Sequence, residues 1–370
     1  MNLDPAQAVM DFARECKEKM AEFDKATVRC GVIGISGSGK SSLINAIAGE
    51  KVCPTGVTET TQKAQEYHHH GLTFVDLPGC GTEDHPRDSY VSRHELASYD
   101  LFIIVTSNRW REDDTHLVAE LTRMGKPFFV VRSMFDHAVA AERRDNGLSE
   151  AEVRVKIERD LLGHLRSVGT SRVFLVSAWH PTQYDLEALL EAIAKTLDGV
   201  KRQRFYADMA AIGEVGLKHK REVLEKLLPY YAGAAAANGL NPVPGLDIAA
   251  DLSILLKFAK EVASVYGLDK NSMDFMARML GPERVPAIVA KITQFTAKYL
   301  AKEGLVIVLR KVATQTAGKQ MAKWVPFVGP LVAAGIGWKT TFMLGEDLID
   351  EAEQLARELF EAVARDAATA

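Results

Sequence analysis

Hydrophobic positions follow three different patterns along the chain. Residues 5–26 repeat apolar side chains at helical intervals, which predicts one amphipathic helix. In the region 28–200, short β-branched runs alternate with helical patterns, and this alternation is typical of an α/β domain with a mostly parallel sheet. In the region 201–370 the strand pattern almost disappears and helical patterns take its place. We therefore predict an α/β domain for the second region and an all-α helical domain for the third.

Six short apolar segments are the strand candidates of the α/β region. They are Val28–Ile35, Ala64–His70, Leu72–Asp76, Leu101–Thr106, Phe128–Arg132 and Val173–Ser177. His70 and Gly71 stand between the second and third candidates as a hairpin turn, so we expect the second strand to be an antiparallel edge. In the C-terminal region, one helical stripe ends at Gly267, because glycine commonly follows the last helical residue.

The composition narrows the class of protein without identifying it. Of 370 residues, 47% are hydrophobic and 25% are charged, as in ordinary soluble globular proteins. The net charge of −4 argues against a dedicated nucleic-acid-binding protein, which usually carries a basic excess. The four cysteines form no C-x-x-C pair, which argues against zinc or disulfide frameworks and favours a reducing compartment. With no visible signal peptide and no apolar run of membrane-spanning length, we expect a cytoplasmic protein.

A glycine-rich phosphate-binding motif follows the first strand candidate. The segment Gly34-Ile-Ser-Gly-Ser-Gly-Lys-Ser41 satisfies G-x-x-x-x-G-K-[ST] and opens a helical pattern. Its glycines allow backbone N–H groups to surround phosphate oxygens, its lysine would bridge the β- and γ-phosphates, and its last hydroxyl would ligate Mg²⁺. The predicted nucleotide-binding residues here are Gly37, Ser38, Gly39, Lys40, Ser41 and Ser42.

A second phosphate motif lies at the end of the third strand candidate, in Asp76-Leu-Pro-Gly79. We expect Asp76 to hold Mg²⁺ through water and the Gly79 N–H to reach the γ-phosphate. A D-x-x-G sequence alone is a common turn. Here it follows a hairpin and begins 36 residues after Lys40, and this spacing makes the assignment specific.

The base-recognition motif is present in altered form. Guanine specificity usually comes from [NT]-K-x-D, whereas this chain has Ser133-Met-Phe-Asp136 after the fifth strand candidate. Asp136 keeps the carboxylate that accepts both guanine N–H groups, although a helix N-cap or a turn residue is the alternative role for it. Met134 replaces the lysine that packs along the base, and this change leaves an ATPase open as an alternative. The predicted contacts to the guanine O6 edge are Ser177, Ala178 and Trp179.

The residues that would activate water are the least regular part of the pattern. Small GTPases often place a glutamine directly after D-x-x-G, but this chain has Cys80 there. The threonine-rich segment 55–61 supplies the candidates: one of its threonines, assigned here as Thr61, would complete the Mg²⁺ site, and Glu59 would position water. A nucleotide-gated binding module with negligible hydrolysis is therefore an alternative to an enzyme.

Taken together, these residues resemble the immunity-related GTPases, which are interferon-inducible, dynamin-superfamily-like enzymes of vertebrates with bacterial relatives, and we expect a bacterial member. The resemblance covers nearly the whole chain. The segments that carry it are Gly34–Ser42, Pro54–Thr61, Asp76–Gly79, Ser107–Asp114, Phe129–Ser133, Asp136, Val173–Ser177, Asn241–Gly245 and Trp338–Met343. In this chain Ser133 and Met134 depart from the threonine and lysine of the family.

The resemblance implies a Ras-like P-loop GTPase domain with a six-stranded sheet, flanked by a helical domain that both chain ends build. The N-terminal helix, within residues 1–27, would then join the helical region 201–370. The resemblance also implies slow hydrolysis of GTP to GDP, with Lys40, Glu59 and Thr61 as the catalytic residues. A homodimer formed through the nucleotide faces and peripheral association with membranes are further implications.

Charge is unevenly distributed near the C-terminus. Residues 290–324 carry seven basic side chains and one acid, and an apolar segment, 325–337, follows them. A basic amphipathic helix beside an apolar segment is typical of a membrane-surface element. Residues 346–370 hold eight acids and two bases, so neutralisation by the last helix is the alternative. A run of three histidines, 68–70, predicts an exposed strand end rather than a metal site, because no third ligand is evident.

Overall fold

The computed structural model describes residues 5–55, 64–168, 172–236, 246–280, 283–321 and 329–369. The chain divides into two compact units. The α/β unit contains residues 26–216 together with 271–279 and 363–370, and the helical unit contains residues 1–25, 217–270 and 280–362.

The strands of the described chain form one six-stranded sheet. They are β1 (Val28–Ile33), β2 (Gln65–His69), β3 (Leu72–Leu77), β4 (Leu101–Thr106), β5 (Phe128–Arg132) and β6 (Val173–Leu175). Their spatial order is β2-β3-β1-β4-β5-β6, with β2 antiparallel to β3 and every other pair parallel. The predicted mostly parallel sheet with an antiparallel edge is confirmed.

The helices of the described chain are numbered in chain order. The first eight are α1 (Pro5–Lys25), α2 (Lys40–Ala48), α3 (Arg87–Arg93), α4 (Glu112–Arg123), α5 (Phe135–Asn146), α6 (Glu150–Leu165), α7 (Leu186–Thr196) and α8 (Gly199–Asp208). The others are α9 (Gly213–Ala236), α10 (Leu246–Val265), α11 (Lys270–Met276), α12 (Val285–Phe295), α13 (Lys302–Met321) and α14 (Gly329–Thr369). The predicted α/β region with a helical region beside it in sequence is thus confirmed as a fold class.

The sheet positions the phosphate motifs through its central strands. Every residue of β4 is buried, as expected for a parallel strand covered on both faces. β1 lies between β3 and β4, and its register pairs Val32 with Asp76 and Ile33 with Leu77. The two segments that leave the carboxyl ends of β1 and β3 therefore begin side by side. This is the edge of an open α/β sheet at which ligands usually bind.

A buried carboxylate of α8 contacts the β2–β3 hairpin. The Arg204 guanidinium bonds the Asp208 carboxylate, and both side chains are less than a tenth exposed. Asp208 also accepts a hydrogen bond of 2.8 Å from the Gly71 N–H at the hairpin turn. Because of these contacts, residues 201–216 group with the α/β unit, whereas the sequence placed the boundary at residue 200.

His69 has a structural role in the same region. Its ring lies 2.8 Å from Glu50 Oε1 through Nδ1 and 2.9 Å from the Asp208 carbonyl oxygen through Nε2. The residue is 5% exposed, so the expectation of an exposed strand end is wrong for this histidine. A strand alternates its faces, and the middle histidine of the run therefore points into the unit.

In the helical unit, α1 buries one face of its apolar stripe. Cys16 and Phe23 are almost fully buried, and a β-carbon at Gly233 of α9 would lie 2.6 Å from Cys16 Sγ. Glycine at this position therefore lets the two helices approach closely. Gly267, with a φ of 66°, follows α10 as the predicted helix stop.

Ion pairs join the basic stretch to the acidic last helix. Lys291 Nζ lies 2.5 Å from Glu358 Oε2, and Lys298 Nζ lies 2.5 Å from Glu351 Oε2. The described helices include none that is long and apolar enough to cross a bilayer. Lys319, Lys323 and the apolar segment 325–337 lie outside the described side chains, and the segment 241–245 lies outside the described residues.

Candidate nucleotide-binding site

Lys40 is held inside the phosphate-binding loop. It is the first residue of α2, and its ammonium donates to the carbonyl oxygens of Gly34, at 2.8 Å, and Ile35, at 3.2 Å. Asp76 Oδ1 lies 3.6 Å away, and the Lys40 side chain is only 5% exposed. Burial lowers the pKa of Lys40, and the attraction of Asp76 opposes that shift. The loop thus presents a desolvated cation at the helix N-terminus, an arrangement suited to phosphate.

Met134 packs against the phosphate loop. Gly39 has a φ of 83°, and a β-carbon there would lie 3.2 Å from Met134 Cε. A side chain at position 39 would therefore be strained by the backbone and crowded by the thioether. Met134 itself is left-handed, with a φ of 52°, and caps the start of α5.

Ser133 links the base-recognition segment to the phosphate loop. Its hydroxyl donates to the Ser38 carbonyl oxygen at 2.6 Å and lies 3.2 Å from the Thr106 carbonyl oxygen. Ser133 is buried, so this bond forms away from water, where it is stronger. The Ser38 hydroxyl is itself fully buried and has no hydrogen-bond partner among the described residues.

Asp76 and Ser41 carry oxygen ligands of the kind that Mg²⁺ prefers. Asp76 is 1% exposed at the end of β3, and Ser41 is the second residue of α2. A carboxylate and a hydroxyl are hard oxygen ligands, and Mg²⁺ usually takes its other ligands from water and nucleotide phosphates. Within the described residues, no group of three or more His, Cys, Asp or Glu side chains could hold a metal alone. This donor set suits a metal that arrives with a nucleotide.

Asp136 lies on the first turn of α5 with its side chain 15% exposed. The N-cap of that helix is Met134, so the alternative role of Asp136 as an N-cap is wrong. The Phe135 N–H donates to the Val176 carbonyl oxygen at 3.1 Å, which joins this segment to the segment after β6. The structure thus brings the carboxylate and the predicted O6-contact loop to neighbouring strand ends.

The segment after β6 is shaped by Ser177. Its buried hydroxyl accepts hydrogen bonds from the backbone N–H groups of Trp179, at 3.3 Å, and His180, at 3.2 Å. Ala178 is half-buried between them, and the Trp179 side chain is 66% exposed. The turn therefore leaves Trp179 exposed beside the half-buried Ala178.

A network of charged groups fixes the segment that follows Gly79. Gly81 has a φ of 79°, and a β-carbon there would lie 2.0 Å from a carboxylate oxygen of Asp113. Asp113 also accepts from Arg87 Nε at 2.6 Å and from Arg111 Nη2 at 2.9 Å. Between these groups, burial raises the pKa of the Cys80 thiol to about 11. Cys80 is therefore a neutral, enclosed side chain and cannot serve as a base for water.

Two predicted catalytic residues cannot be placed. Glu59 and Thr61 lie in the segment 56–63, outside the described residues. Thr55, directly before that segment, is exposed. The roles of Glu59 and Thr61 therefore stay predictions.

Sequence reasoning missed two contributions to the site. Ser133 was recognised only as a departure from the family motif, although its hydroxyl reaches the phosphate loop. Asp113 received no role, although it braces Gly81. The run Arg111-Glu-Asp-Asp114 contained a signal, because an arginine beside three carboxylates commonly forms ion pairs.

The chain is similar in sequence to known GTPases along most of its length. The sequence model of the family described as "Interferon-inducible GTPase (IIGP)" matches residues 6–320. The chain belongs to the interferon-inducible GTPase family. Its similarity to "Interferon-inducible GTPase 5" of Bos taurus is 31% identity over 356 residues, 92% of this chain and 76% of that protein. The Rattus norvegicus protein of the same name is 30% identical over 372 residues, 96% of this chain and 80% of its own length.

A solved structure of Toc33 from Arabidopsis thaliana in complex with GDP and Mg²⁺ aligns with a TM-score of 0.36 and 18% identity. The alignment covers 53% of this chain and 93% of that one. Membership of the interferon-inducible GTPase family, established by the sequence matches, confirms the predicted resemblance. This family member is a GTP-binding P-loop GTPase, and GTP hydrolysis is its enzymatic activity.

Proposed function

We propose that this GTPase binds GTP together with Mg²⁺, hydrolyses it slowly, and uses the bound nucleotide to control its own self-association. The observation that carries the nucleotide site is the buried Lys40 ammonium, 3.6 Å from Asp76 and held by two loop carbonyl oxygens. A phosphate chain would replace those carbonyl contacts with stronger charge-assisted ones.

The proposed roles divide between phosphate, metal and base. Lys40 neutralises the β- and γ-phosphates, and the Gly79 N–H donates to the γ-phosphate. Ser41, Thr61 and Asp76 would hold Mg²⁺, which would supply positive charge beside the phosphates. Asp136 accepts the guanine N–H groups, while the segment 177–179 contacts O6.

Hydrolysis requires a water molecule in line with the bond to the leaving GDP. As the water oxygen bonds to the γ-phosphorus, the bond from that phosphorus to the bridging oxygen breaks, and GDP and phosphate result. We assign the orientation of this water to Glu59 on the basis of the family resemblance. Replacing Glu59 with alanine should leave GTP binding intact and slow turnover. Unchanged turnover in a single-turnover phosphate-release assay would remove Glu59 from this role.

The nucleotide site is tested with Lys40→Ala and a matched control, Lys17→Ala. Lys17 is an exposed lysine of α1. Calorimetry with GDP should show that Lys40→Ala loses measurable binding and that Lys17→Ala binds as the wild type does. Equal binding by all three proteins would contradict the assigned phosphate site.

Self-association is supported by the resemblance to GTPases that dimerise through their nucleotide faces. The expected behaviour is a GTPase activity per molecule that rises with protein concentration, because a dimer completes the catalytic arrangement. The alternative is a nucleotide-gated module with negligible hydrolysis, which the enclosed, neutral Cys80 favours. Phosphate release that stays near zero at every concentration would support the module.

Membrane attachment receives less support than neutralisation within the helical unit. Lys291 and Lys298 already pair with carboxylates of α14. Lys291 and Lys298 are therefore assigned to ion pairs within the helical unit. Any membrane contact would then involve other parts of the chain.

A further inference from the structure

A narrow cleft of about 60 Å³ opens beside the nucleotide site within the α/β unit. Ser42 and Asn45 of α2 form one side of it, and Ala178 with Trp179 forms another. This volume is below the roughly 300–1,000 Å³ of complete small-molecule sites, so the cleft is one part of a larger site. None of the roles assigned above accounts for the cleft as a whole.

The position of these walls identifies what the cleft would hold. Ser42 follows the Lys40–Ser41 pair of the phosphate loop, and Ala178 belongs to the segment assigned to the guanine O6 edge. A nucleotide with its phosphates on Lys40 and its base at Ala178 must place its ribose and purine between these two walls. The cleft is therefore placed to border one side of such a nucleoside.

The remaining wall comes from a distant part of the sequence. Phe275, Arg278 and Met279 line the cleft, and they lie about a hundred residues after Trp179. They belong to the short segment 271–279, which groups with the α/β unit although the chain on both sides of it belongs to the helical unit. The segment 271–279 therefore places an aromatic ring and a thioether at the cleft.

We propose that Phe275 and Met279 form a wall of the nucleoside pocket and contact the purine and ribose of the bound nucleotide. The inference rests on the proposed nucleotide site and adds the residues that cover the nucleoside. An aromatic side chain stacks on any base, and a thioether adapts its shape to a ring face. Phe275 thereby supplies the purine contact that Met134 supplies less well than the usual lysine.

The charges that line the cleft agree with a nucleotide as the occupant. Lys51 and Arg278 contribute two cationic side chains, and both residues are exposed. Asp136, which is assigned to the guanine N–H groups, is not among the described residues that line the cleft, so the cleft would border the purine from another side. A nucleotide brings several negative charges, so Arg278 is positioned to attract it at the rim.

The test compares two ligands on four proteins by calorimetry: GDP and inorganic tripolyphosphate, on the wild type, Phe275→Ala, Met276→Ala and Lys40→Ala. Met276 is the matched control, because it is a half-buried apolar residue of the same helix and does not line the cleft. Loss of one base-stacking ring typically lowers affinity by roughly five- to a hundredfold. We expect Phe275→Ala to lose GDP affinity in that range and to keep tripolyphosphate affinity, with Met276→Ala like the wild type.

The two ligands separate failure of this inference from failure of the proposed site. Equal GDP affinity in Phe275→Ala and the wild type would overturn the inference. In that case, the phosphate site would still be supported if Lys40→Ala, and no other variant, failed to bind both GDP and tripolyphosphate. If Phe275→Ala weakens GDP and tripolyphosphate equally, the phenylalanine does not contact the nucleoside, and the inference also fails.

A measurement on the wild type avoids any effect of substitution on folding. Hydrogen exchange of backbone amides in peptides that cover residues 271–279 should slow when GDP binds and stay unchanged with tripolyphosphate. Arg278→Glu, a change at an exposed position, should lower GDP affinity more at low salt than at high salt. Absence of GDP-specific protection in this segment would contradict the proposed wall.

Discussion

Ser133 occupies the position at which guanine motifs place asparagine or threonine, and its hydroxyl reaches the Ser38 carbonyl oxygen at 2.6 Å. The neighbouring Met134 packs on Gly39 of the same loop. Both substitutions therefore keep contact with the phosphate loop while changing the chemistry beside the base. At the residue scale, the altered motif contacts the phosphate-binding loop through both of its changed residues.

We predict that Ser133→Ala weakens GDP binding by about three- to tenfold. The change leaves a buried carbonyl group without its hydroxyl donor, and one such hydrogen bond typically contributes about 1 kcal/mol. Ser133→Thr retains the hydroxyl and should bind nearly as the wild type does. Calorimetry with GDP measures both variants, and unchanged affinity in Ser133→Ala would show that the link carries no binding energy.

Burial lowers the reactivity of the Cys80 thiol, because it raises the thiol pKa. Its pKa of about 11 means that about one molecule in a thousand carries the thiolate at pH 8. We predict that Cys80 in the native protein resists alkylation at pH 8, and that any rate rises about tenfold per pH unit below pH 11. Mass spectrometry after iodoacetamide treatment locates the modified cysteines. Labelling of Cys80 in the native protein at pH 8 as fast as in the urea-unfolded protein would contradict this environment.

At the scale of elements, α8 offers two ion pairs of the same spacing in opposite environments. Arg204–Asp208 is buried, with side chains 7% and 2% exposed, whereas Arg202–Asp198 has side chains 44% and 103% exposed. Breaking a buried pair leaves a charge that has lost its counter-charge in a poorly solvated site, but exposed pairs contribute little.

We predict that Asp208→Ala lowers the stability of the α/β unit by about 3–5 kcal/mol, the usual range for removal of one partner of a buried pair. The carboxylate also accepts from Gly71, so the β2–β3 hairpin loses an anchor. Asp198→Ala, the exposed control, should leave the urea unfolding midpoint nearly unchanged. Similar midpoints for the two variants would show that the buried pair does not stabilise this unit.

The elements themselves were predictable to different degrees. β4 and β5 begin and end at the predicted residues, because their apolar runs stop where the sheet stops. β1 ends at Ile33 rather than Ile35, since the phosphate loop begins at Gly34, and β6 ends at Leu175, before the turn that Ser177 shapes. A hydrophobic pattern indicates which residues are buried. It does not indicate the residue at which a strand ends and a functional loop begins.

For the whole molecule, the near-neutral net charge of −4 conceals pairing between distant segments. α12 and the residues that follow it supply Lys291 and Lys298, and α14 supplies Glu358 and Glu351. Each pair is partly exposed and contributes at most about 1 kcal/mol, so its removal should not unfold the helical unit. The pairs instead neutralise the charge of these two lysines within the chain.

We predict that Glu351→Gln combined with Glu358→Gln increases sedimentation with anionic phospholipid vesicles relative to the wild type. The double variant removes the counter-charges of Lys291 and Lys298, which can then attract anionic lipid. Glu303→Gln, a change at an exposed acid of α13, controls for the charge of the protein. Strong binding by the wild type that the double variant does not exceed would show that these pairs do not limit membrane contact.

The site was predictable where local motifs define it and not where distant segments complete it. Lys40, Asp76 and Asp136 follow from spacing within the α/β region, because a parallel sheet gathers its strand ends at one edge. The contacts of Asp208 with Gly71 and of Phe275 with the cleft join residues about a hundred or more positions apart. No local pattern marks such pairs, since each residue alone resembles an ordinary helix position.

The central claim is that this GTPase recognises guanine through Asp136 despite the methionine in its motif. Calorimetry with GTP and ATP in the presence of Mg²⁺ tests it on the wild type, Asp136→Ala and the exposed helix control Asp145→Ala. The account predicts that the wild type and Asp145→Ala favour GTP by about tenfold or more, because an unmatched polar group in the site costs about 1–3 kcal/mol, and that Asp136→Ala loses this preference. Equal or tighter binding of ATP by the wild type would contradict it.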